Sequence, residues 1–259
     1  MPHAADNETN TVIAAGGADR PGRGSAALIT GANSGIGKQI AGQLLAAGLT
    51  VYLGARDPQR GRAAVDELEG DVRLLILDVT DPASIAGAAG QIEALDVLVN
   101  NAGINLGGED APTTDVDVLR RTFETNVFGV IAVTNAVLPA LRHSSHPRIV
   151  NISSGTGSLG WSTSPNPQFN HHTGGRGAAY RSSKTAVNAL TIYYAQALAA
   201  DGFKVNALAP GLRATNLTSG AATGGDPAEA AAAAVRLALL PDTGPTAGFF
   251  SWDNTVVPW

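Results

Sequence analysis

The sequence predicts an α/β chain with a parallel sheet covered by helices on both faces. Short apolar runs alternate with helical patterns along most of its length. The runs are mostly unbroken by polar residues, as in strands buried on both sides. The first strand-to-helix crossing carries a dense glycine turn, Thr30-Gly31-Ala32-Asn33-Ser34-Gly35-Ile36-Gly37. In such sheets ligands bind beyond the carboxyl ends of the strands.

The elements follow in order. Ala26 to Ile29 is an apolar strand, and Ile36, Ile40, Leu44 and Leu45 then share one helical face. Gly31 allows a tight turn off the strand, Gly35 lets backbone approach a phosphate, and Gly37 lets the helix pack closely. N–H groups opening that helix point at an anion. Three residues separate Gly31 from Gly35, where the ordinary dinucleotide fingerprint has one. Thr50 to Gly54 is a second strand, and Pro58 opens a helix running to about Glu69. Val72 to Leu77 is a third strand, with Asp81 an N-cap before Pro82. Val97 to Val99 leads into Asn100-Asn101-Ala102-Gly103, and a helical region spans about Val116 to Leu141. Ile149 to Ile152 is a fifth strand, followed by Ser153 and Ser154 and an irregular stretch, 156–177. Ala178 to Ala200 gives the strongest helical pattern, and Lys204 to Leu208 the strand after it, broken by Pro210-Gly211. The segment 212–225 reads as a loop, Asp226-Pro227 caps an Ala-rich helix to Leu239, and Gly248 to Ser251 is a last short strand.

Composition narrows the function. The 259 residues are 44% hydrophobic and 15% charged, with mean hydropathy +0.06, which fits one large domain over residues 25–259. A net charge of −5 without a Lys/Arg block gives no electrostatic support for nucleic acid or a membrane surface. Absence of cysteine excludes thiolate chemistry and disulfides and fits a cytoplasmic location. No apolar run approaches the roughly 20 residues of a membrane span. Residues 1–24 read as a disordered tail.

Tyr180 and Lys184 lie four apart on one helix and so share a face. A neighbouring ammonium would lower a phenol's pKa from about 10 by about 1–3, making a general acid for a carbonyl oxygen. Taken alone, such a pair is more often an ordinary feature of an amphipathic helix. Ser154, at a strand end, could donate to the same oxygen, although strand-end serines also simply form turns. Asn126, inside a helix, could hold a water or bond a neighbouring backbone.

Thr30 to Gly37, Asn100 to Gly103, Asn126, Ser154, Tyr180-x-x-x-Lys184 and Pro210-Gly211 stand in this order, and together the chain resembles the short-chain dehydrogenase/reductase family from about residue 25 onward. The resemblance implies a single doubly wound Rossmann-type domain with a seven-stranded parallel sheet. It also implies hydride transfer between a nicotinamide and a carbonyl or alcohol carbon. Tyr180 then matches the family's acid/base, and Lys184 the lysine that lowers its pKa and holds the nicotinamide ribose. Ser154 matches the serine that orients the substrate, with Gly157 three residues on, and Asn126 the asparagine that keeps a relay water. Gly31, Asn33, Ser34, Gly35, Ile36 and Gly37 would carry the cofactor. Asp78 and Val79 would bracket adenine, and Asn101, Ala102 and Gly103 would face the adenosine side. Pro210, Gly211 and Thr215 would meet the nicotinamide end.

Cofactor choice follows from charge at the second strand's end. Arg56, with Arg60 one turn on, suits a 2′-phosphate, while Asp57 is read as a helix cap, so NADP(H) is expected. Gly54-Ala55-Arg56-Asp57, Leu237 to Pro241 and Gly244-Pro245 are similar to the carbonyl-reductase branch, as is the long separation of 26 positions (180 − 154) between serine and tyrosine. That insertion is expected to fold over the substrate cleft, to cover a helix face used for tetramers, and so to favour a monomer over a homo-oligomer. Within it, Trp161 and Phe169 are expected to wall an apolar pocket, and His171 and His172 to belong to a polar loop rather than a metal site. Arg213 and Asn216 depart from the family pattern beside the substrate pocket. The function expected is NADPH-dependent reduction of a small-molecule ketone or aldehyde. An NADP-dependent secondary-alcohol dehydrogenase and a dinucleotide-binding regulator without turnover are the alternatives.

Overall fold

In a computed structural model of the chain, residues 19–170, 175–217 and 224–259 are described. His171, His172 and most of the expected tail lie outside them. Residues 19–24, placed in the tail by the sequence reading, already belong to the body. Pro21 is buried, the Gly24 N–H donates to the Gly48 carbonyl, and the Asp242 N–H donates to that of Asp19.

Seven strands form one sheet: β1 Ala26–Ile29, β2 Thr50–Ala55, β3 Val72–Ile76, β4 Val97–Asn100, β5 Arg148–Ile152, β6 Lys204–Ala209 and β7 Phe249–Ser251. Their order is β3-β2-β1-β4-β5-β6-β7, and every pairing is parallel. Successive residues of a strand point to opposite faces, so continuous apolar runs fill two cores at once. Ile29, Leu53, Val97 and Val99 pack with Ile40, Leu44 and Leu237 on one face. Leu28, Leu98, Ile149 and Val205 pack with Val133, Val137 and Leu141 on the other. The helices supplying those faces include α1 Gly35–Ala46, α2 Pro58–Asp66, α3 Pro82–Ala89, α4 Val116–Phe123 and α5 Gly129–Leu141. The remainder include α6 Leu159–Thr163, α7 Ala178–Ala197 and α8 Pro227–Ala238.

The chain from Val116 to Leu141 is one helical run, α4 and α5 joined by a π-helical turn over Glu124–Phe128. Contrary to the sequence reading, it is long and apolar enough to cross a membrane by length and composition alone, with mean hydropathy 1.3. Its apolar side is spent on the sheet, where Val130, Val133, Val137 and Leu141 are buried. The stretch expected to be irregular after Ser154 holds a short 3-10 turn, Gly155–Gly157, and then α6. The Ser158 hydroxyl caps α6 by accepting from the Trp161 N–H at 3.0 Å.

The winding direction reverses between β1 and β4, so the loops beyond their carboxyl ends part and leave a crevice. Thr30 holds that fork together. Its hydroxyl oxygen accepts from the Asn101 N–H at 3.0 Å and the Ala102 N–H at 2.9 Å. Replacing Thr30 with isosteric valine leaves two backbone donors unpaired at a site only 2% exposed. Thr30→Val is expected to lower unfolding free energy by about 2–6 kcal/mol in a urea titration, at roughly 1–3 kcal/mol for each of the two abandoned donors.

Candidate functional site

The crevice over β1 and β4 has a volume of about 470 Å³, within the usual range for small-molecule sites. Of the residues singled out from sequence, Gly31, Asn33, Ser34, Gly35, Ile36, Gly37, Arg56, Arg60, Asp78, Val79, Asn101, Ala102, Gly103, Tyr180, Lys184, Pro210 and Thr215 line it. The turn leaving β1 needs its glycines for different reasons. Gly31 has φ +63°, a left-handed conformation. A Cβ on Gly37 would lie 2.4 Å from Asn101 Nδ2 and 2.8 Å from the Gly31 carbonyl oxygen. Gly37 therefore admits the Asn101 amide, which donates to the carbonyls of Thr30 and Gly31 at 2.9 and 3.1 Å.

The opening of α1 is left free for an anion. Aspartates cap α2, α3, α4 and α8, each accepting a backbone N–H of its helix. By contrast Ser34, at the start of α1, makes no side-chain cap, and the first turn has no acid. Its N–H groups and dipole therefore face the crevice without a protein acceptor from that cap. Asp57 is the cap of α2, accepting from Gln59 and Arg60 N–H groups at 2.8 and 3.0 Å. The Arg60 N–H bond chiefly holds its carboxyl below the ordinary aspartate value. Arg56 and Arg60 are exposed at the crevice rim, and neither forms a salt bridge among the described residues. Asp78 is turned into its own loop and accepts from the Thr80 N–H and hydroxyl at 2.9 and 2.8 Å.

Tyr180 and Lys184 leave the crevice face of α7. The Lys184 ammonium donates to the Ile152 carbonyl at 2.8 Å and lies 5.7 Å from the Tyr180 ring centroid. Lys184 is 4% exposed, and burial lowers its pKa to about 8. Ser154 Oγ pairs with Thr156 Oγ1 at 2.9 Å and lies close enough to the Tyr180 phenol to oppose its shift, but burial pushes that phenol up to about 12. The expected lowering of Tyr180 by the ammonium is thus corrected. Desolvation outweighs the one favourable hydrogen bond, and the ammonium is directed at the end of β5. Ser153, the adjacent serine, lines the crevice and donates its hydroxyl to Asn188 Oδ1 at 2.6 Å.

Three expected site residues stand behind the crevice wall. Ser154 meets the site through Tyr180. Asn126 is fully buried; its Oδ1 accepts from the Ile104 N–H at 2.8 Å, and its amide donates to the Ile104 carbonyl and Ser183 Oγ at 2.9 and 3.0 Å. Both amide hydrogens are used, so Asn126 fixes the segment after β4 against α7. Gly211 is turned toward Trp252, 3.0 Å from where its Cβ would be.

The insertion departs from expectation. Trp161 and Phe169 do not wall the crevice; they pack with Ala207, Phe249 and Val257 under the final strand. Polar ties hold the insertion there, with the Gln168 amide donating to Ser251 Oγ and the Gly160 N–H to the Trp259 carbonyl. It also lies on α7, where the Thr185 hydroxyl donates to the Gly157 carbonyl at 2.9 Å. Arg213 is likewise turned from the crevice, whereas Asn216 lines it. Residues not anticipated in the wall are Leu77, Thr80, Ile104, Asn105, Leu106, Thr125, Ile152, Ser153 and Leu217. Ile104 to Leu106 directly continue Asn100 to Gly103, so proximity to that motif was the available signal. Among the described residues no group of three metal-ligating side chains forms.

A family model described as short chain dehydrogenase matches residues 25–224. A Saponaria officinalis protein, short-chain dehydrogenase/reductase 1, is 34% identical across 90% of this chain and 95% of its own. Salutaridine reductase of Papaver bracteatum is 33% identical across 86% of this chain and 93% of its own. The crystal structure of NADPH-bound carbonyl reductase from chicken fatty liver superposes with a TM-score of 0.78 at 28% identity, over 92% of this chain and all of that one.

Lys184 has a measurable thermodynamic consequence. With a folded pKa of about 8 against an ordinary 10.5, its burial costs stability fully below pH 8. The cost fades as pH rises toward the unfolded value, because the unfolded chain then binds the extra proton. Lys184→Met removes this term. Its unfolding free energy relative to wild type should be about 2 kcal/mol more favourable at pH 7 than at pH 9.5, read from paired urea titrations.

Proposed function

The chain belongs to the short-chain dehydrogenase/reductase family and is an oxidoreductase of a reductase-like branch, and on that premise we propose that it reduces a ketone or aldehyde to an alcohol with NADPH, Tyr180 giving the proton. The observation that carries this reading is the Tyr180 phenol on the crevice wall, with the Ser154 hydroxyl beside it and the Lys184 ammonium 5.7 Å from its ring. Bound NADPH would supply the hydride.

Each remaining role belongs to the chain. At a pKa of about 12, the Tyr180 phenol is neutral near pH 7 and has a proton to give as the substrate oxygen gains charge. Ser154 would orient the substrate oxygen by donating its hydroxyl to it. The Lys184 ammonium, held by the Ile152 carbonyl, would stabilise the phenolate left after proton transfer and meet the nicotinamide ribose. Asn126 would serve by fixing Ile104 and α7; its amide is already committed, so a relay water would be met by its backbone.

Fit to a dinucleotide rests on the donor set. The uncapped N–H groups of α1 suit a pyrophosphate. Arg56 and Arg60, with Asp57 consumed as a cap, suit a 2′-phosphate. Asp78 and Val79 would flank adenine, Asn101 to Gly103 the adenosine side, and Pro210, Gly211 and Thr215 the carboxamide end. NADPH bound to the carbonyl reductase from chicken fatty liver is consistent with this choice.

Stopped-flow loss of nicotinamide absorbance with a panel of ketones and aldehydes tests the proposal. Turnover is expected with NADPH; none with any carbonyl compound would favour a regulator that binds and does not react. Arg56→Asp should raise the KM for NADPH about tenfold or more while leaving that for NADH within a few-fold. An unchanged ratio would overturn the cofactor choice. Because kcat/KM reports the free enzyme, its pH profile for reduction should be level below about 8 and fall above it, as Lys184 loses its proton.

A further inference from the structure

Arg213 is a charged side chain only 5% exposed, and the proposed function leaves it unused. Its Nε donates to the Pro210 carbonyl at 2.6 Å. One terminal nitrogen donates to Glu229 Oε2 at 2.5 Å, and the guanidinium carbon lies 4.3 Å from the centre of the Trp252 ring. Arginine is suited to this triple task because its planar fork can bond and stack at once. The backbone reinforces the clamp. The Ala214 N–H donates to the Gly225 carbonyl, and the Gly225 N–H to the Leu212 carbonyl. A Cβ on Gly225 would lie 2.3 Å from the guanidinium, so any other residue there would displace it.

Two residues of the clamped turn face the crevice, Pro210 and Thr215. Thr215 is tied to Arg213 through its own N–H, at 2.8 Å from the Arg213 carbonyl. Its methyl lies 3.2 Å from where a Cβ on Gly35 would sit, beside the opening of α1. The guanidinium itself lies outside the crevice. We infer that Arg213 is a positioning residue: by locking the Pro210 to Thr215 turn onto α8 and Trp252, it fixes the wall against which the nicotinamide half of the cofactor is held. This rests on the proposed dinucleotide site. The groups proposed for the adenosine half, Arg56 and Asp78, follow β2 and β3 and share none of these contacts.

That separation supplies the test. The dissociation constants of NADPH and of 2′,5′-ADP, which carries only the adenosine half, are measured by titration for wild type, Arg213→Met and Arg213→Lys. If wild type prefers NADH, then NADH and ADP replace them; that preference bears on the cofactor proposal, while the ratio of whole to half cofactor bears on Arg213. Arg213→Met should weaken the dinucleotide about tenfold or more and leave the half cofactor within twofold, as expected for loss of charge-assisted hydrogen bonds. Arg213→Lys, which keeps charge without the fork or the stack, should fall between. Equal loss of both ligands would mark a merely structural residue. No change in either, or a rise only in the KM of the carbonyl substrate, would likewise overturn the inference. Should Arg213→Met fail to fold, the lysine variant is read by the same criteria.

Discussion

A buried ammonium bonded to a strand-end carbonyl is the constraint around which the crevice is arranged. Lys184 on α7 donates to Ile152 at the end of β5, which fixes where α7 crosses the sheet. Tyr180, one helical turn earlier, is thereby carried to the crevice, and Ser154, two residues past Ile152, reaches its phenol. Such a charge is costly to bury, and an apolar residue would fill the space at lower cost. Its retention is the signature of a site that gives up stability to hold a charge where chemistry needs one.

The rest of the wall is built by polar groups that spend themselves on backbone. Thr30 and Asn101 tie the ends of β1 and β4, while Asn126 ties the following segment to α7. These bonds are partly or fully buried, and each would leave unpaired groups if broken. The opening of α1 is the exception. Four other helices have aspartate caps, whereas α1, which opens beside the crevice, has no side-chain cap, and neither does α7.

Much of this was legible in the sequence because it depends on local pattern. Strands buried on both faces read as apolar runs, and Asp57 followed by Pro58 read as a helix start, where the Asp57 carboxylate indeed caps α2. What was not legible depends on distant partners. Trp161 and Phe169 went under β7 because the end of the chain offers Phe249 and Val257 there, a pairing that no spacing announces. The direction of the Tyr180 shift depended on how deeply α7 is covered. Arg213 stood out only as an anomaly; its role required Glu229 and Trp252, 16 and 39 positions away (229 − 213 and 252 − 213).

The central proposal is that the proton for the nascent alcohol comes from the Tyr180 phenol. Tyr180→Phe removes that one oxygen and keeps the ring, so its most direct test is single-turnover hydride transfer from NADPH prebound to the variant. The account predicts NADPH affinity within about twofold of wild type and a transfer rate reduced by a factor on the order of 10²–10⁴, the usual contribution of a positioned general acid. A variant that transfers hydride at the wild-type rate would contradict it.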